Sequence, residues 1–263
     1  MHLDILSKQV IQLVKETGHF IAAEAKKLST SDIEVKGFND FVTHVDKEAE
    51  QRLISELKKM TPDAGFIAEE DQSLKASSEY NWIIDPIDGT TNFIHSIPVF
   101  AISIALSFKD ETVLGIVYEI NSDECFHAIK GGRAFLNDQV ISVSKNEKLS
   151  NGLIATGFPY NDFSLLEPYL SLFKDAMQSS RGIRRLGSAA VDLAYVACGR
   201  FDVFYEYSLK PWDIAAGAFI VQQAGGRVTD FRGKSDFIFG QRIIATNNVL
   251  HHDFIKKVQT YFI

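Results

Sequence analysis

Hydrophobic residues recur at three- and four-residue intervals in the first 60 positions, and this spacing predicts two amphipathic helices. The first predicted helix covers residues 3–27. The second carries apolar residues on one face from Val45 to Met60 and ends before Pro62. The stretch between them, Ser29 to Asp40, is polar and is predicted to be a link.

The middle of the chain changes to short apolar runs that predict strands. Gly65–Ala68 is a short predicted strand, and Tyr80–Ile84 has the aromatic and β-branched residues typical of a strand buried on both faces. Three further strands are predicted as an antiparallel meander: Val99–Phe108, Thr112–Ile120 and Glu124–Lys130.

Strands and helices alternate after residue 150. The predicted helices are Ser164–Gln178, Ala189–Cys198, Pro211–Gln223 and Leu250–Tyr261. The predicted strands are Gly152–Gly157, Gly182–Leu186, Phe201–Tyr207, Val228–Phe231 and Arg242–Thr246. Together with the meander, this alternation predicts a layered α/β or α+β fold, with helices packed between or against two sheets.

Composition narrows the class of protein. The 263 residues are 46% hydrophobic, which is enough for one large domain or two closely fused halves. The net charge of −7 argues against general attraction to nucleic acid or to an anionic membrane, so an anionic substrate would need bound cations or a basic pocket. Cys125 and Cys198 are expected to be free thiols in a reducing cytosol, and no signal peptide or membrane span is predicted.

The most informative stretch is Trp82–Phe93, W-I-I-D-P-I-D-G-T-T-N-F. Asp85 and Asp88 flank Pro86, which restricts the backbone, and Gly89 allows a close approach to a ligand. The amides that follow are expected to form an anion-binding turn. Carboxylates beside bound phosphate require cations between them, as in a magnesium phosphatase. The alternative is an ordinary turn, because Asp-Pro and Asp-Gly pairs are common turn formers.

Other acidic residues lie at predicted strand and helix ends. Glu69 and Glu70 directly follow a strand, and Asp213 lies in the first turn of a predicted helix. Asp46 lies near the start of the second helix, where a purely capping role is the alternative. Several carboxylates at separate element ends suit Mg²⁺, which binds a few carboxylates, waters and phosphate oxygens.

These motifs together resemble the inositol monophosphatase family, within the superfamily that includes fructose-1,6-bisphosphatase. The resemblance covers nearly the whole chain. It rests on Asp40–Asp46, Phe66–Glu70, Trp82–Phe93, Gly182–Gly199 and Pro211–Gly217. It implies an alternating αβαβα sandwich in a single domain, 1–263, with a metal-site half of about 1–150 and an α/β half of about 151–263. Ala68 departs from the glycine found at this position in many members.

The resemblance also implies roles for individual residues. Two or three Mg²⁺ ions would be held by Glu69, Glu70, Asp85, the Ile87 carbonyl, Asp88 and Asp213. The catalytic residues would be Glu69, Thr90, Asp46 and Asp88. Phosphate and substrate would be bound by Ile87, Asp88, Gly89, Thr90, Arg184, Ala189, Glu206 and Asp213. Adjacent residues of a strand face opposite ways, so only one of Arg184 and Arg185 can face inward. The resemblance alone favours Arg184.

The implied reaction is Mg²⁺-dependent hydrolysis of myo-inositol monophosphate by a cytoplasmic, lithium-sensitive homodimer. Other phosphomonoesters remain open as substrates: fructose 1,6-bisphosphate, NADP⁺, histidinol phosphate and adenosine 3′,5′-bisphosphate. A second alternative is a transcription-associated binding role, since some bacterial relatives also act as antitermination factors. No membrane and no direct nucleic-acid contact is expected.

Overall fold

The computed structural model describes residues 2–27, 33–37, 40–159 and 162–262. The helices are α1 (Leu3–Ala25), α2 (His44–Met60), α3 (Thr90–Ile94), α4 (Leu166–Ser179), α5 (Ala189–Ala197), α6 (Pro211–Gln223) and α7 (His251–Phe262). The strands of the first half are β1 (Ile33–Gly37), β2 (Asp40–Thr43), β3 (Gly65–Ala68), β4 (Tyr80–Asp88), β5 (Ala101–Phe108), β6 (Glu111–Glu119), β7 (Glu124–Ile129), β8 (Ala134–Leu136) and β9 (Gln139–Ile141). Those of the second half are β10 (Leu153–Thr156), β11 (Gly182–Arg184), β12 (Val203–Tyr207), β13 (Arg227–Thr229) and β14 (Arg242–Thr246).

Two large sheets organise these strands. The first has seven strands in sequence order from β3 to β9, and every pair after the parallel β3–β4 pair is antiparallel. The second has five strands in the order β11-β10-β12-β14-β13, with parallel pairing at β10 and antiparallel pairing at β14. The meander predicted from the sequence therefore forms the centre of the first sheet.

The helices form three layers around the two sheets. One core cluster joins α1 and α2 to one face of the seven-stranded sheet. A second cluster places α5 and α6 between the two sheets, and a third joins α4 and α7 to the outer face of the five-stranded sheet. The order is αβαβα, which confirms the predicted fold class.

Small residues allow the middle layer to be tightly packed. A Cβ atom added to Gly217 on α6 would lie 2.6 Å from Leu193 Cβ on α5. One added to Gly115 on β6 would lie 2.9 Å from the carbonyl oxygen of Ala216. Both distances are shorter than van der Waals contact, so larger side chains at these positions would push apart elements that carry the acidic residues described below.

Two hairpins differ from the predicted elements. The stretch expected to be a polar link contains β1 and the first residue of β2, which pairs with it in antiparallel fashion. Residues 29–32 and 38–39 of this stretch lie outside the described part. The hairpin β8–β9 was also missed; it turns at Asn137, whose φ is +51°. Both hairpins have strands of three to five residues, too short to show a clear period.

Two further expectations concern the thiols and the membrane. Cys125 is buried, Cys198 is half-buried, and neither forms a disulfide. Within the described ranges, no helix is both long enough and apolar enough to cross a bilayer.

Candidate active site

The D-P-I-D segment lies at the end of β4 and forms a bulge. Asp85 pairs with Ser103 of β5, but Asp88 pairs with Ala101, so β4 has one extra residue. The Ile87 amide donates to Asp85 Oδ1 at 2.9 Å, across Pro86. A bulge accommodates a proline that cannot donate to the ladder. The sequence predicted that the strand ends at Ile84; it continues through both aspartates instead.

Gly89 turns the chain from β4 into the short helix α3. Its φ is +98°, in the left-handed region that favours glycine. A Cβ atom there would also lie 3.1 Å from the Val99 carbonyl oxygen and 3.2 Å from that of Gly187. Conformation and space therefore both require glycine after the second aspartate.

Thr90 and Asp46 meet beside this turn. Thr90 Oγ1 lies 3.0 Å from the Ile87 carbonyl oxygen and 3.3 Å from Asp46 Oδ1. Asp46 is buried, and its Oδ2 accepts from the amide and hydroxyl of Thr43 at 2.9 and 2.6 Å. Asp46 thus caps α2 and also reaches Thr90, so the two roles considered from the sequence are compatible.

Four carboxylates converge at this end of the molecule. Asp85 is 2% exposed, and its pKa is raised well above its ordinary value, first by burial and then by the charges of Glu69, Asp88 and Asp213. A side-chain hydrogen bond with Glu69 raises the pKa of Asp85 further. The structure therefore brings together the acidic residues that the sequence predicted as a group.

Two helix N-termini support this acidic group. Asp88 Oδ2 accepts from Ser188 Oγ and from the Ala190 amide, both at 2.6 Å, at the start of α5. Burial raises the pKa of Asp88 to about 6, although these two hydrogen bonds and the charge of Arg185 act in the opposite direction. Asp213 Oδ2 accepts from the Lys210 amide at 2.7 Å at the start of α6. Burial, followed by the charge of Asp88, raises the pKa of Asp213 well above its ordinary value.

The donor set fits Mg²⁺. Carboxylates that raise each other's pKa are stabilised by a divalent cation, and Mg²⁺ is bound through one or two carboxylates together with waters and phosphate oxygens. Among the described residues, no three His, Cys, Asp or Glu side chains are already arranged as a complete metal-binding group. Mg²⁺ bound in this way takes its remaining ligands from solvent and substrate.

The side expected to bind the substrate contains a buried acid and an arginine. Glu206 at the end of β12 is 3% exposed, and a Cβ atom added to Gly157 would lie 2.0 Å from Glu206 Oε1. Burial raises the pKa of Glu206 to about 8; the charge of Arg185 lowers it and that of Asp88 raises it further. Ala189 is buried in the first turn of α5, directly before the Ala190 amide that binds Asp88.

Two adjacent arginines lie at the predicted substrate side, and they differ in their interactions. Arg184 ends β11, and its guanidinium donates to the carbonyl of Ile183 at 3.0 Å. Arg185 follows the strand, and its charge acts on Asp88 and Glu206. The alternation expected from a continuous strand does not apply, because the strand ends between the two arginines. A substrate-binding role for Arg184 stays a prediction, while the charge of Arg185 acts on two of the acidic residues.

Three residues around Asp88 were not among the predicted site residues. Ser188 was predicted only as a helix cap; it caps α5 through the Val191 amide and also donates to Asp88. Asp192, one turn further along α5, is 1% exposed. A charged residue within an otherwise apolar helical stretch, as at Asp192, is the signal that could have identified it. No comparable pattern in the sequence pointed to Arg185.

The five layers define an α/β sandwich. Its acidic centre, beside the starts of α5 and α6, has the donor groups of a cation-binding site. The chain belongs to the inositol monophosphatase family, whose model matches residues 2–262.

Similar proteins carry two kinds of name. A putative Nus factor SuhB from Neisseria meningitidis serogroup B is 42% identical over 248 residues, 94% of this chain and 95% of the relative. An inositol-1-monophosphatase from Mesorhizobium japonicum is 38% identical over 95% of this chain and 94% of the relative. The crystal structure of the extragenic suppressor protein suhB from Bartonella henselae has a TM-score of 0.93 and 38% identity, covering 97% of this chain and 98% of that one.

Asp192 provides a test of the electrostatics of the site. Its Oδ1 has no hydrogen-bond partner in the part of the chain that the structure describes. Burial, followed by the charges of Glu206 and Asp88, raises its pKa well above the ordinary value despite Arg185. In the unfolded chain this group ionises near pH 4, whereas in the folded chain its raised pKa keeps the proton bound to higher pH, so it lowers stability as the pH rises above about 4.

We therefore expect Asp192→Asn to raise the free energy of unfolding at pH 8 by about 1–3 kcal/mol, because the amide cannot ionise. The gain should shrink towards zero as the pH falls to 4. Urea denaturation in the presence of a chelator measures it. Asp253→Asn, at an exposed position in the first turn of α7, is the control. A lower free energy of unfolding for Asp192→Asn at pH 8 would contradict a raised pKa for Asp192.

Proposed function

We propose that this protein is a Mg²⁺-dependent phosphomonoesterase that hydrolyses myo-inositol monophosphate to inositol and phosphate. The observation that carries the proposal is the convergence of Glu69, Asp85, Asp88 and Asp213, each of the three aspartates having a raised pKa. Inositol-1-monophosphatase names among close relatives support the substrate class.

The proposed roles of the residues are those that the family resemblance implies, and the contacts of several residues support them. Glu69, Glu70, Asp85, the Ile87 carbonyl, Asp88 and Asp213 would hold two or three Mg²⁺ ions. Bound Mg²⁺ would neutralise the negative charge of the phosphate and lower the pKa of a bound water molecule. Thr90, whose hydroxyl contacts Asp46, would orient the attacking water. The amides that follow β4, at Gly89 and Thr90, would bind phosphate oxygens.

The substrate's hydroxyl groups would lie against the other wall of the site. Glu206 and the start of α5 at Ala189 are available there, with Arg185 adding a positive charge. Arg184 remains the alternative arginine.

Wider properties of the enzyme are part of the proposal. We propose a cytoplasmic homodimer that Li⁺ inhibits. We also propose that residues 1–263 act as one domain, since the acidic centre combines Asp88 from the first half with Ser188 and Asp213 from the second.

The first experiment is phosphate release from myo-inositol 1-phosphate by purified protein. We expect turnover with Mg²⁺, none with a chelator, and inhibition by added Li⁺.

Asp88→Asn keeps an oxygen for Ser188 and Ala190 but removes the charge, and is expected to lower turnover at least a hundredfold. Faster hydrolysis of another phosphomonoester would support the proposed reaction but identify a different substrate. The candidates are fructose 1,6-bisphosphate, NADP⁺, histidinol phosphate and adenosine 3′,5′-bisphosphate. No turnover of any of them would refute the proposal.

The two arginines can be compared in the same assay. Arg185→Ala should lower kcat/KM about three- to tenfold, mainly through KM, because it removes the positive charge beside Asp88 and Glu206. Arg184→Ala should stay within about twofold of the wild type. The reverse order would favour the substrate-binding role that the sequence suggested for Arg184.

A second candidate function is binding to a transcription complex. Relatives named Nus factor SuhB, from Pseudomonas aeruginosa and Escherichia coli, are 38% and 39% identical to this chain. The net charge of −7 favours a protein partner over direct contact with RNA. We expect such a role to be independent of turnover, so Asp88→Asn should still be retained by immobilised RNA polymerase elongation complexes. Absence of retention for the wild-type protein would exclude this function.

A further inference from the structure

A buried carboxylate on α2 holds the segment that carries Glu69 and Glu70. Glu50 is 1% exposed, although it lies in a helix whose outer face is strongly charged. Its Oε2 accepts from the Glu70 amide at 2.9 Å, and its Oε1 accepts from the Asp71 amide at 2.8 Å. Each carboxylate oxygen therefore binds one of two consecutive amides, directly after the end of β3.

These two hydrogen bonds fix the backbone next to Glu69. The Glu70 amide belongs to the peptide unit that starts at Glu69, so fixing that amide fixes the backbone orientation of Glu69 as well. Hydrogen bonds from amides to a charged carboxylate are short and strong, and a buried carboxylate without such partners would be costly. The interaction is therefore a rigid connection between α2 and the strand end.

The same helix also positions Thr90. Asp46 lies one turn before Glu50, and both are buried on one face of α2. Asp46 contacts the Thr90 hydroxyl, while Glu50 contacts the segment after Glu69. Ala49 and Leu53, both 0% exposed, anchor this part of α2 in the core. One rigid helix thus supports two separate parts of the acidic centre.

We propose that Glu50 is a positioning residue that sets the Mg²⁺ affinity of the site, acting through the backbone of Glu70 and Asp71 on Glu69 and Glu70. This inference rests on the proposed Mg²⁺-dependent function. Groups that orient metal ligands in other proteins change metal affinity by about 10- to 100-fold when they are altered.

The decisive variant is Glu50→Gln, which has nearly the same size and shape. Its amide oxygen can accept one backbone N–H, but its NH₂ group would face the other backbone donor. We expect the Mg²⁺ dissociation constant to rise about tenfold, measured by calorimetric titration of chelator-treated protein. Amide exchange at Glu70 and Asp71 should become faster, and kcat at saturating Mg²⁺ should stay within about twofold of the wild type.

Glu48→Gln is the matched control. Glu48 lies on the same helix, but it is exposed and pairs with Arg52 at 2.7 Å. The control should leave Mg²⁺ affinity and both exchange rates unchanged. A merely structural role for Glu50 would lower the melting temperature of Glu50→Gln without changing the Mg²⁺ dissociation constant, and that result would overturn the inference.

The outcomes separate the two proposals. If the wild-type protein binds Mg²⁺ and folded Glu50→Gln binds it equally well, only the positioning role of Glu50 is refuted. If the wild-type protein binds no Mg²⁺, the proposed function and the positioning role are both refuted. Should Glu50→Gln fail to fold, Glu50→Asp replaces it, because it keeps the charge but withdraws the oxygens by one methylene. Wild-type Mg²⁺ affinity in Glu50→Asp would then refute the positioning role.

Discussion

Mutual repulsion among Glu69, Asp85, Asp88 and Asp213 is the constraint on which the rest of the structure depends. Like charges in a poorly solvated site raise one another's pKa, as seen for Asp85. The fold supplies a donor to each of the three aspartates: the Ile87 amide, the start of α5, and the Lys210 amide. These donors stabilise the carboxylates while leaving the centre negatively charged. The proposed Mg²⁺ ions would offset this remaining negative charge.

The layer order explains where those donors come from. Since α5 and α6 lie between the two sheets, their first turns can approach β4, which belongs to the seven-stranded sheet. The absence of a side chain at Gly217 allows α6 to lie close against Leu193 of α5. Packing in the middle layer, several residues away from the carboxylates, thus controls how Asp88 and Asp213 are placed relative to each other.

Periodicity predicted the long helices and the central strands well, because their buried faces span several turns or alternations. The D-P-I-D segment was also found from the chain alone, but its bulge was not, since that depends on pairing with β5. The choice between Arg184 and Arg185 depended on where β11 ends, which local pattern does not specify. Glu50 was missed for a related reason: its partners, Glu70 and Asp71, are about 20 residues away, so only the tertiary fold explains its burial.

The acidic centre differs from the side of the site that we propose to bind the substrate in which residues must be kept. Asp85, Asp88 and Asp213 are held largely by backbone amides, which remain available whatever the neighbouring side chains are. Glu206 and Arg185 contribute side chains instead, and their charges act on Asp213 and Asp88, respectively. Relatives named as inositol-1-monophosphatases and as Nus factors are similar to this chain at nearly the same identity and coverage. Overall similarity therefore does not separate the two functions.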